Sequence, residues 1–220
     1  MLGGAFFGLD LALYNTAVLM TTATEATLFG NNAPLFVGLG TWLIFRRRPE
    51  RAFWTGLALA AIGGAIVMVA GLSRGATLGS LTGDLLALTA AIFFAAYLLT
   101  TEHVRDVLDT ISFSALAIAG SVVTLLLVCL AFDVPLTGFS RATWMALLGL
   151  GLVSQLAAYF ALVYALRHLP ATFTSVGLLA QVPLTAVLAI PLLGEPLHPA
   201  QIAGGALVLA GIYIVNRRTE

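Results

Sequence analysis

Residues 52–67 read AFWTGLALAAIGGAIV, and residues 200–215 read AQIAGGALVLAGIYIV. Both stretches are apolar and rich in small side chains, which is typical of helices that pack closely inside a membrane. Seven of their sixteen aligned positions are identical: Ala52/Ala200, Gly56/Gly204, Ala58/Ala206, Leu59/Leu207, Gly63/Gly211, Ile66/Ile214 and Val67/Val215. The two stretches therefore indicate an internal repeat.

The segments before these two stretches extend the similarity. At an offset of 149 residues, Pro34 falls on Pro183 and Asn32 falls on Gln181. A proline inside an apolar segment, with a carboxamide two residues earlier, is a more specific coincidence than shared apolar residues alone. We therefore predict that two consecutive helices of one repeat correspond to two consecutive helices of the other.

The composition predicts a membrane protein. Hydrophobic residues make up 60% of the chain, charged residues 9%, and the mean hydropathy is +1.03, whereas soluble domains carry about 25% charged residues. Eight apolar stretches are long enough to cross about 30 Å of hydrocarbon: 2–20, 24–45, 52–71, 82–102, 111–131, 141–167, 171–193 and 199–216. Stretches such as 147–167 lack the alternating polarity of barrel strands, so we predict an all-α, polytopic helical membrane protein.

The equivalent stretches lie five predicted spans apart. Because five is odd, they cross the membrane in opposite directions, which is the inverted-topology repeat of many secondary transporters. We place a partial first repeat of three helices at 1–72 and a second repeat of five helices at 79–218. About 70 residues, or two helices, ahead of the first span would complete the symmetry.

The stretch 157–215 resembles the last three helices of EamA-type transporters, which belong to the drug/metabolite transporter superfamily. The residues that carry the family pattern are Pro183, Gly194, Glu195, Gly204 and Gly211. Residues 11–71 look like the corresponding part of the first repeat, although Phe45 and Arg46 stand where the Gly-Glu turn would be. Since the family usually has ten helices, the chain resembles a member that lacks the first two.

The resemblance and the repeat together imply a secondary transporter that exports small polar metabolites or drugs, driven by protons or by the solute gradient. The two absent helices leave an alternative open, namely a transport-incompetent, truncated form that acts as a membrane interaction partner. The expected partners are a small-molecule substrate and the lipid bilayer. We also expect a homo-oligomer or partner helices to cover the exposed first repeat.

Seven polar side chains are candidates for the lining of a central, substrate-binding cavity: Asp10, Tyr14, Asn31, Asn32, Gln155, Tyr159 and Gln181. Asp10 lies well inside a predicted span, where an ionisable group is costly, so it is a candidate proton or cation site. The carboxamides both donate and accept hydrogen bonds, which suits zwitterionic or amide-bearing solutes. The alternative for these residues is hydrogen bonding between helices.

Three prolines lie inside predicted helices: Pro34, Pro183 and Pro191. Each removes one backbone N–H and leaves the carbonyl four residues earlier without its helical donor. In a bilayer such a carbonyl is tolerated where helices pack or where a cavity is wet. The prolines are therefore candidate hinges for transport, and the alternative is a static kink.

The charges set the predicted orientation and exclude one class of partner. The chain has ten arginines, no lysine and ten acidic residues, so its positive and negative charges balance. Without a net positive charge, nucleic acid is not an expected partner. Eight arginines fall on the side that also takes the termini and the 46–51 loop, and two fall on the other. Since arginine-rich short loops stay in the cytoplasm, we predict a multi-pass protein of the cell (inner, cytoplasmic) membrane with both termini cytoplasmic.

The sequence offers no pattern for catalysis, cofactor binding or a metal site. Cys129 is the single cysteine, and the three histidines are scattered at predicted helix ends. The HExxH and GxSxG motifs are missing, and a chain without lysine cannot form a phosphate-binding P-loop. We therefore expect neither an enzyme nor a cofactor or metal.

Overall fold

The computed structural model of the chain describes residues 1–21, 23–70, 81–104, 107–184, 187–188 and 199–216. Across these residues every regular element is helical. The first part holds α1 Leu2–Met20, α2 Ala23–Gly30, α3 Ala33–Leu43, α4 Arg51–Ala70, α5 Leu81–Val104 and α6 Thr110–Ala131. The second part holds α7 Arg141–Gly149, a π-helical segment Leu150–Ala157, α8 Ala158–His168, α9 Ala171–Gly177, a 3-10 turn Leu178–Ala180 and α10 Pro199–Asn216.

Most of these helices have the length or apolarity of membrane segments. Four described helical runs are long and apolar enough to cross a bilayer: Leu2–Met20, Leu81–Val104, Thr110–Ala131 and Arg141–His168. Large apolar side chains cover the outside, and on α6 Leu127 and Leu130 are 61% and 62% exposed. Such a surface is stable in lipid and not in water. The predicted all-α, polytopic membrane fold is confirmed.

The main core forms where α1 packs along both α5 and α6. Gly4 of α1 lies directly on the backbone of Ala117 in α6, and a β-carbon at Gly4 would overlap that backbone. One turn later Phe7 stacks on Tyr97 of α5, with ring centroids 5.1 Å apart. Small residues thus bring the helices together, and aromatic residues fill the space beside the contact.

The most extensive helix pair joins α4 to α10 through glycines. A β-carbon at Gly56 would lie 2.5 Å from the carbonyl oxygen of Gly211, and one at Gly63 would lie 2.5 Å from that of Gly204. The residue order in the two contacts shows that α4 and α10 run antiparallel. The two similar stretches of the sequence therefore pack against each other.

Two polar contacts hold the ends of α5. At its start, Thr21 at the end of α1 donates its hydroxyl to the Asp84 carboxylate, over 2.7 Å. At its end, Glu102 accepts a hydrogen bond of 3.0 Å from the backbone N–H of Ala171, the first residue of α9. Pro170 precedes α9 and has no side-chain cap of its own, so Glu102 supplies the missing acceptor.

The predicted second span, 24–45, is wrong in one respect, because it is two helices and not one. The first helix ends at Gly30 and the second begins at Ala33. Pro34 consequently lies in the first turn of α3 and not in the middle of a helix. Proline is well tolerated there, since the first-turn N–H groups have no acceptor within the helix. The expected kink at Pro34 is replaced by a complete break.

Candidate functional site

The break between α2 and α3 is closed by the side chain of Asn32. Its Nδ2 group donates to the carbonyl oxygens of Leu28 and Phe29, at 2.9 and 3.1 Å. These carbonyls belong to the last turn of α2, where the helix itself no longer provides donors. Asn32 therefore caps the C-terminal end of the preceding helix α2, and its amide nitrogen is engaged there.

Asn31 is the residue that reaches the second repeat. Gln181 Nε2 donates to Asn31 Oδ1 over 3.0 Å, although the two residues are 150 positions apart in sequence. Gln181 directly follows the 3-10 turn Leu178–Ala180 that interrupts its helix. The hydrogen bond thus joins the α2–α3 break to the 3-10 interruption of the second repeat. Asn31, Asn32 and Gln181 are all predicted to line one cavity, and in the structure Gln181 contacts Asn31.

The Asn31–Gln181 pair leaves hydrogen-bonding capacity on the Asn31 side chain. Within the described ranges, the Asn31 Nδ2 group donates no hydrogen bond. Asn31 is half-buried and Gln181 is exposed, so the pair lies at an accessible surface. A carboxamide with a spare donor at such a point can bind a polar solute.

Tyr14 of α1 forms the wall next to the break. Its hydroxyl is 3.2 Å from the Thr27 hydroxyl on α2, and its ring lies against Gly30, where a β-carbon would approach within 3.0 Å. Asp10 lies one turn earlier on the same face of α1 and is half-buried. In the described part of the chain, the Asp10 carboxylate accepts no hydrogen bond.

Tyr159 of α8 connects Asp10 to the aromatic core. Its ring lies 4.2 Å from that of Phe7 and 6.4 Å from that of Tyr97, measured between centroids. Phe7 lies one turn before Asp10 on α1. Tyr159 therefore lies close to the part of α1 that carries Asp10.

Gln155 precedes Tyr159 by four residues and lies in the π-helical segment Leu150–Ala157. Its Oε1 atom is buried and has no hydrogen-bond partner among the described residues. A buried amide oxygen without a donor is costly, and π-helical turns are frequent at functional sites. Gln155 therefore stays a candidate, and in the described ranges its side chain forms no hydrogen bond with Asn31 or Gln181.

The remaining candidates fall outside this group. Pro183 packs on the last helix, where a β-carbon at Gly205 would lie 3.1 Å from its ring. Pro191, Gly194 and Glu195 lie outside the described residues.

The contact between Tyr14 and Thr27 was not predicted from the sequence. Thr27 precedes Asn31 by four residues, and this spacing is the signal that could have added Thr27 to the candidates. Across the described ranges no cluster of histidine, cysteine, aspartate or glutamate could hold a metal ion.

Comparison with known proteins identifies the family. The model of the EamA-like transporter family matches residues 81–217. The chain belongs to the EamA-like transporter family. The resemblance read from the sequence is confirmed, and this EamA-like protein is a membrane transporter.

Curated relatives agree with this assignment. The protein is 28% identical over 206 residues to the "Uncharacterized transporter YwfM" of Bacillus subtilis, covering 93% of this chain and 68% of the relative. It is 28% identical over 210 residues to a "Probable terminal-alkyne amino-acid exporter" of Streptantibioticus cattleyicolor, covering 94% of this chain and 68% of the relative. An "Uncharacterized transporter" of Archaeoglobus fulgidus is 26% identical, over 92% of this chain and 70% of its own.

A solved structure shares the fold. A protein described only as "Crystal structure of protein" superposes with a TM-score of 0.79 at 19% identity. The match covers 98% of this chain and 74% of that chain. The helical arrangement of the EamA-like chain is therefore one that occurs in an experimental structure.

Proposed function

We propose that this EamA-like transporter is a secondary transporter that exports small polar solutes, and that it binds them where the α2–α3 break meets Gln181. One observation carries the proposal: the 3.0 Å contact between Gln181 Nε2 and Asn31 Oδ1 joins two interrupted helices. Interrupted helices in secondary transporters frequently form the substrate site, since their freed backbone groups and helix ends face the solute. Membership of the family supports transport as the activity.

The chemistry of the pair favours zwitterionic or amide-bearing solutes. The spare Nδ2 donor of Asn31 suits a carboxylate or carbonyl oxygen. The positive end of the α3 dipole begins at Ala33, beside Asn31, and favours the same negative group. Asp10, one turn before Tyr14 on α1, suits an ammonium group or a proton. The relative named as an amino-acid exporter supports this substrate class.

The two repeats supply the proposed movement. We assign the repeats to 1–72 and 79–218, and in this proposal they rock against each other about the α4–α10 glycine contacts. The prolines near the site, Pro34 and Pro183, are the proposed hinge points, together with Pro191. The protein would lie in the cytoplasmic membrane with both termini in the cytoplasm, as the arginine distribution favours.

Counterflow in proteoliposomes tests transport without any assumption about the driving force. Vesicles that contain the purified chain are loaded with unlabelled alanine, threonine or glutamine, and uptake of the same radiolabelled amino acid is measured. We expect transient accumulation of at least one label above protein-free vesicles, because exchange requires binding on both sides. Absence of counterflow for all three amino acids would contradict the proposed substrate class.

Feeding cells a dipeptide tests the direction of transport. Bacterial cells that express the protein hydrolyse alanyl-threonine or alanyl-glutamine internally, so the amino acids accumulate inside. An exporter raises the rate at which the amino acid appears in the medium, compared with cells that carry an empty vector. Equal rates of appearance, with counterflow present in vesicles, would contradict the export direction and leave transport itself supported.

A further inference from the structure

A second concave site lies away from the candidate transport site, at the end of the protein where α1 begins and α3 and α5 end. The cavity has a volume of about 440 Å³, within the range of roughly 300–1,000 Å³ that is typical of ligand pockets. Its lining is almost entirely apolar and includes Leu2 and Phe6 of α1, Phe45, Leu99 of α5 and Leu116 of α6. An apolar space of this kind suits a hydrocarbon chain.

A segment with four arginines follows the cavity wall directly in the sequence. Phe45 lines the cavity and packs against His103, with ring centroids 5.6 Å apart. The next residues are Arg46, Arg47 and Arg48, and Arg51 begins α4. The backbone turns sharply at Arg46, which has a φ of 57°. The charged segment therefore starts directly after the cavity wall.

The arginine side chains are available to an external anion. All four are exposed, and in the part of the chain that the structure describes none of them forms an ion pair with an acidic side chain. Arg48 lies 5.5 Å above the ring of Trp42. Trp42 is 42% exposed and Ile44 is 72% exposed. Tryptophan next to arginine is typical of the level of lipid headgroups.

The apolar cavity and the arginine segment together match the two parts of one molecule. We propose that this end of the transporter binds an anionic phospholipid, with an acyl chain in the cavity and the phosphate at the arginines. Charge complementarity selects this occupant, because the phosphate of a zwitterionic lipid already carries a compensating ammonium group, whereas an anionic lipid brings a net negative charge to the four guanidinium groups. Juxtamembrane basic clusters bind anionic lipids of the cytoplasmic leaflet in the same way.

Native mass spectrometry of the purified chain measures this binding directly. The protein in a neutral detergent receives equal amounts of phosphatidylglycerol and phosphatidylcholine with identical acyl chains. We expect phosphatidylglycerol adducts to dominate by about tenfold or more, since each basic residue near an anionic headgroup contributes a factor of about five. Equal retention of the two lipids would overturn the proposal.

Two pairs of matched variants separate the headgroup contacts from the acyl contacts. The double variant Arg46→Gln/Arg47→Gln should reduce phosphatidylglycerol retention by at least about tenfold. Its control is Arg141→Gln/Arg167→Gln, which makes the same change in charge at other exposed positions and should leave retention unchanged. Ala96→Phe fills the cavity and should also abolish retention. Ile92→Phe, one turn away on an exposed position, should not.

The remaining outcomes are also decisive. If both arginine pairs reduce retention equally, the effect is general electrostatics and the site is refuted. If Ala96→Phe folds, as judged by its elution volume, and retains the lipid, the cavity is not the acyl site. Soluble glycerol phosphate at millimolar concentration should not displace the lipid, and displacement would show that a free phosphate is the ligand.

Discussion

Gly63 and Gly204 pack so closely that a β-carbon on either residue would lie within 2.7 Å of the other's carbonyl oxygen. Gly56 and Gly211 form the same contact two turns away. The sequence repeat equates Gly56 with Gly204 and Gly63 with Gly211. When each glycine is replaced by its equivalent in the other repeat, the Gly56–Gly211 contact becomes the Gly63–Gly204 contact. This relationship is expected for two equivalent helices that pack antiparallel about a two-fold axis.

This contact predicts a position-specific effect of a single methyl group. Gly63→Ala places a β-carbon against Gly204 and should destabilise the fold by about 1–3 kcal/mol, as overpacking of a tight contact does. Gly64→Ala is the matched control, because nothing lies within 4 Å of its β-carbon position. Both changes raise helix propensity equally. Thermal unfolding in detergent measures the difference, and equal melting temperatures would refute the packing.

The contact between Glu102 and the start of α9 predicts a second difference. Glu102→Ala removes the acceptor for the Ala171 N–H, and loss of such a cap costs about 0.5–2 kcal/mol. Glu102→Gln keeps an amide oxygen in the same place and should be closer to the native stability. Melting temperatures of the two variants test this. Indistinguishable values would mean that the cap contributes nothing.

Asp10 is proposed as the proton or cation site, and this separates two kinds of transport. Asp10→Asn should abolish solute movement driven by a pH gradient in proteoliposomes. Counterflow, which needs no driving ion, should persist at a reduced rate. Asp84→Asn is the control, because Asp84 lies at the start of α5, where it accepts a hydrogen bond from Thr21 at the end of α1. Retention of pH-driven transport by Asp10→Asn would exclude the role.

The predicted orientation is accessible to cysteine labelling. In a background where Cys129 is replaced by alanine, a cysteine at Thr137 should react with a membrane-impermeant maleimide added outside intact cells. A cysteine at Pro49 should react only after the membrane is permeabilised, since the arginine-rich loop is predicted to be cytoplasmic. The reverse pattern would invert the topology.

Hydropathy and length were sufficient to predict most of the fold. The predicted stretches 2–20, 52–71 and 111–131 correspond to Leu2–Met20, Arg51–Ala70 and Thr110–Ala131. They succeed because a membrane helix needs only a long apolar run. The break after Gly30 was missed because apolar residues continue on both sides of it. The sequence Gly-Asn-Asn-Ala-Pro at 30–34 nevertheless carries the usual signals for the end of one helix and the start of another.

The candidate site was predictable in its residue types but not in its pairings. Asp10 and Tyr14 share one face of α1 because their i, i+4 spacing fixes it, whereas the contact of Tyr159 with Phe7 depends on tertiary packing. The choice of Asn31 over Asn32 as the partner of Gln181 depends on how α2 ends, since that end needs the Asn32 amide as a donor. Neighbouring residues with the same side chain cannot be distinguished by composition or spacing.

The most direct test of the account measures counterflow and membrane abundance for Asn31→Leu and Gln181→Leu, with the exchange Asn31→Gln/Gln181→Asn as control. The account predicts normal abundance and lost counterflow for both leucine variants, and partial activity for the exchange, which keeps two carboxamides at the contact. Normal abundance with unchanged counterflow would contradict it. Low abundance of both leucine variants would also contradict it, because the pair would then hold the helices together and not bind the solute.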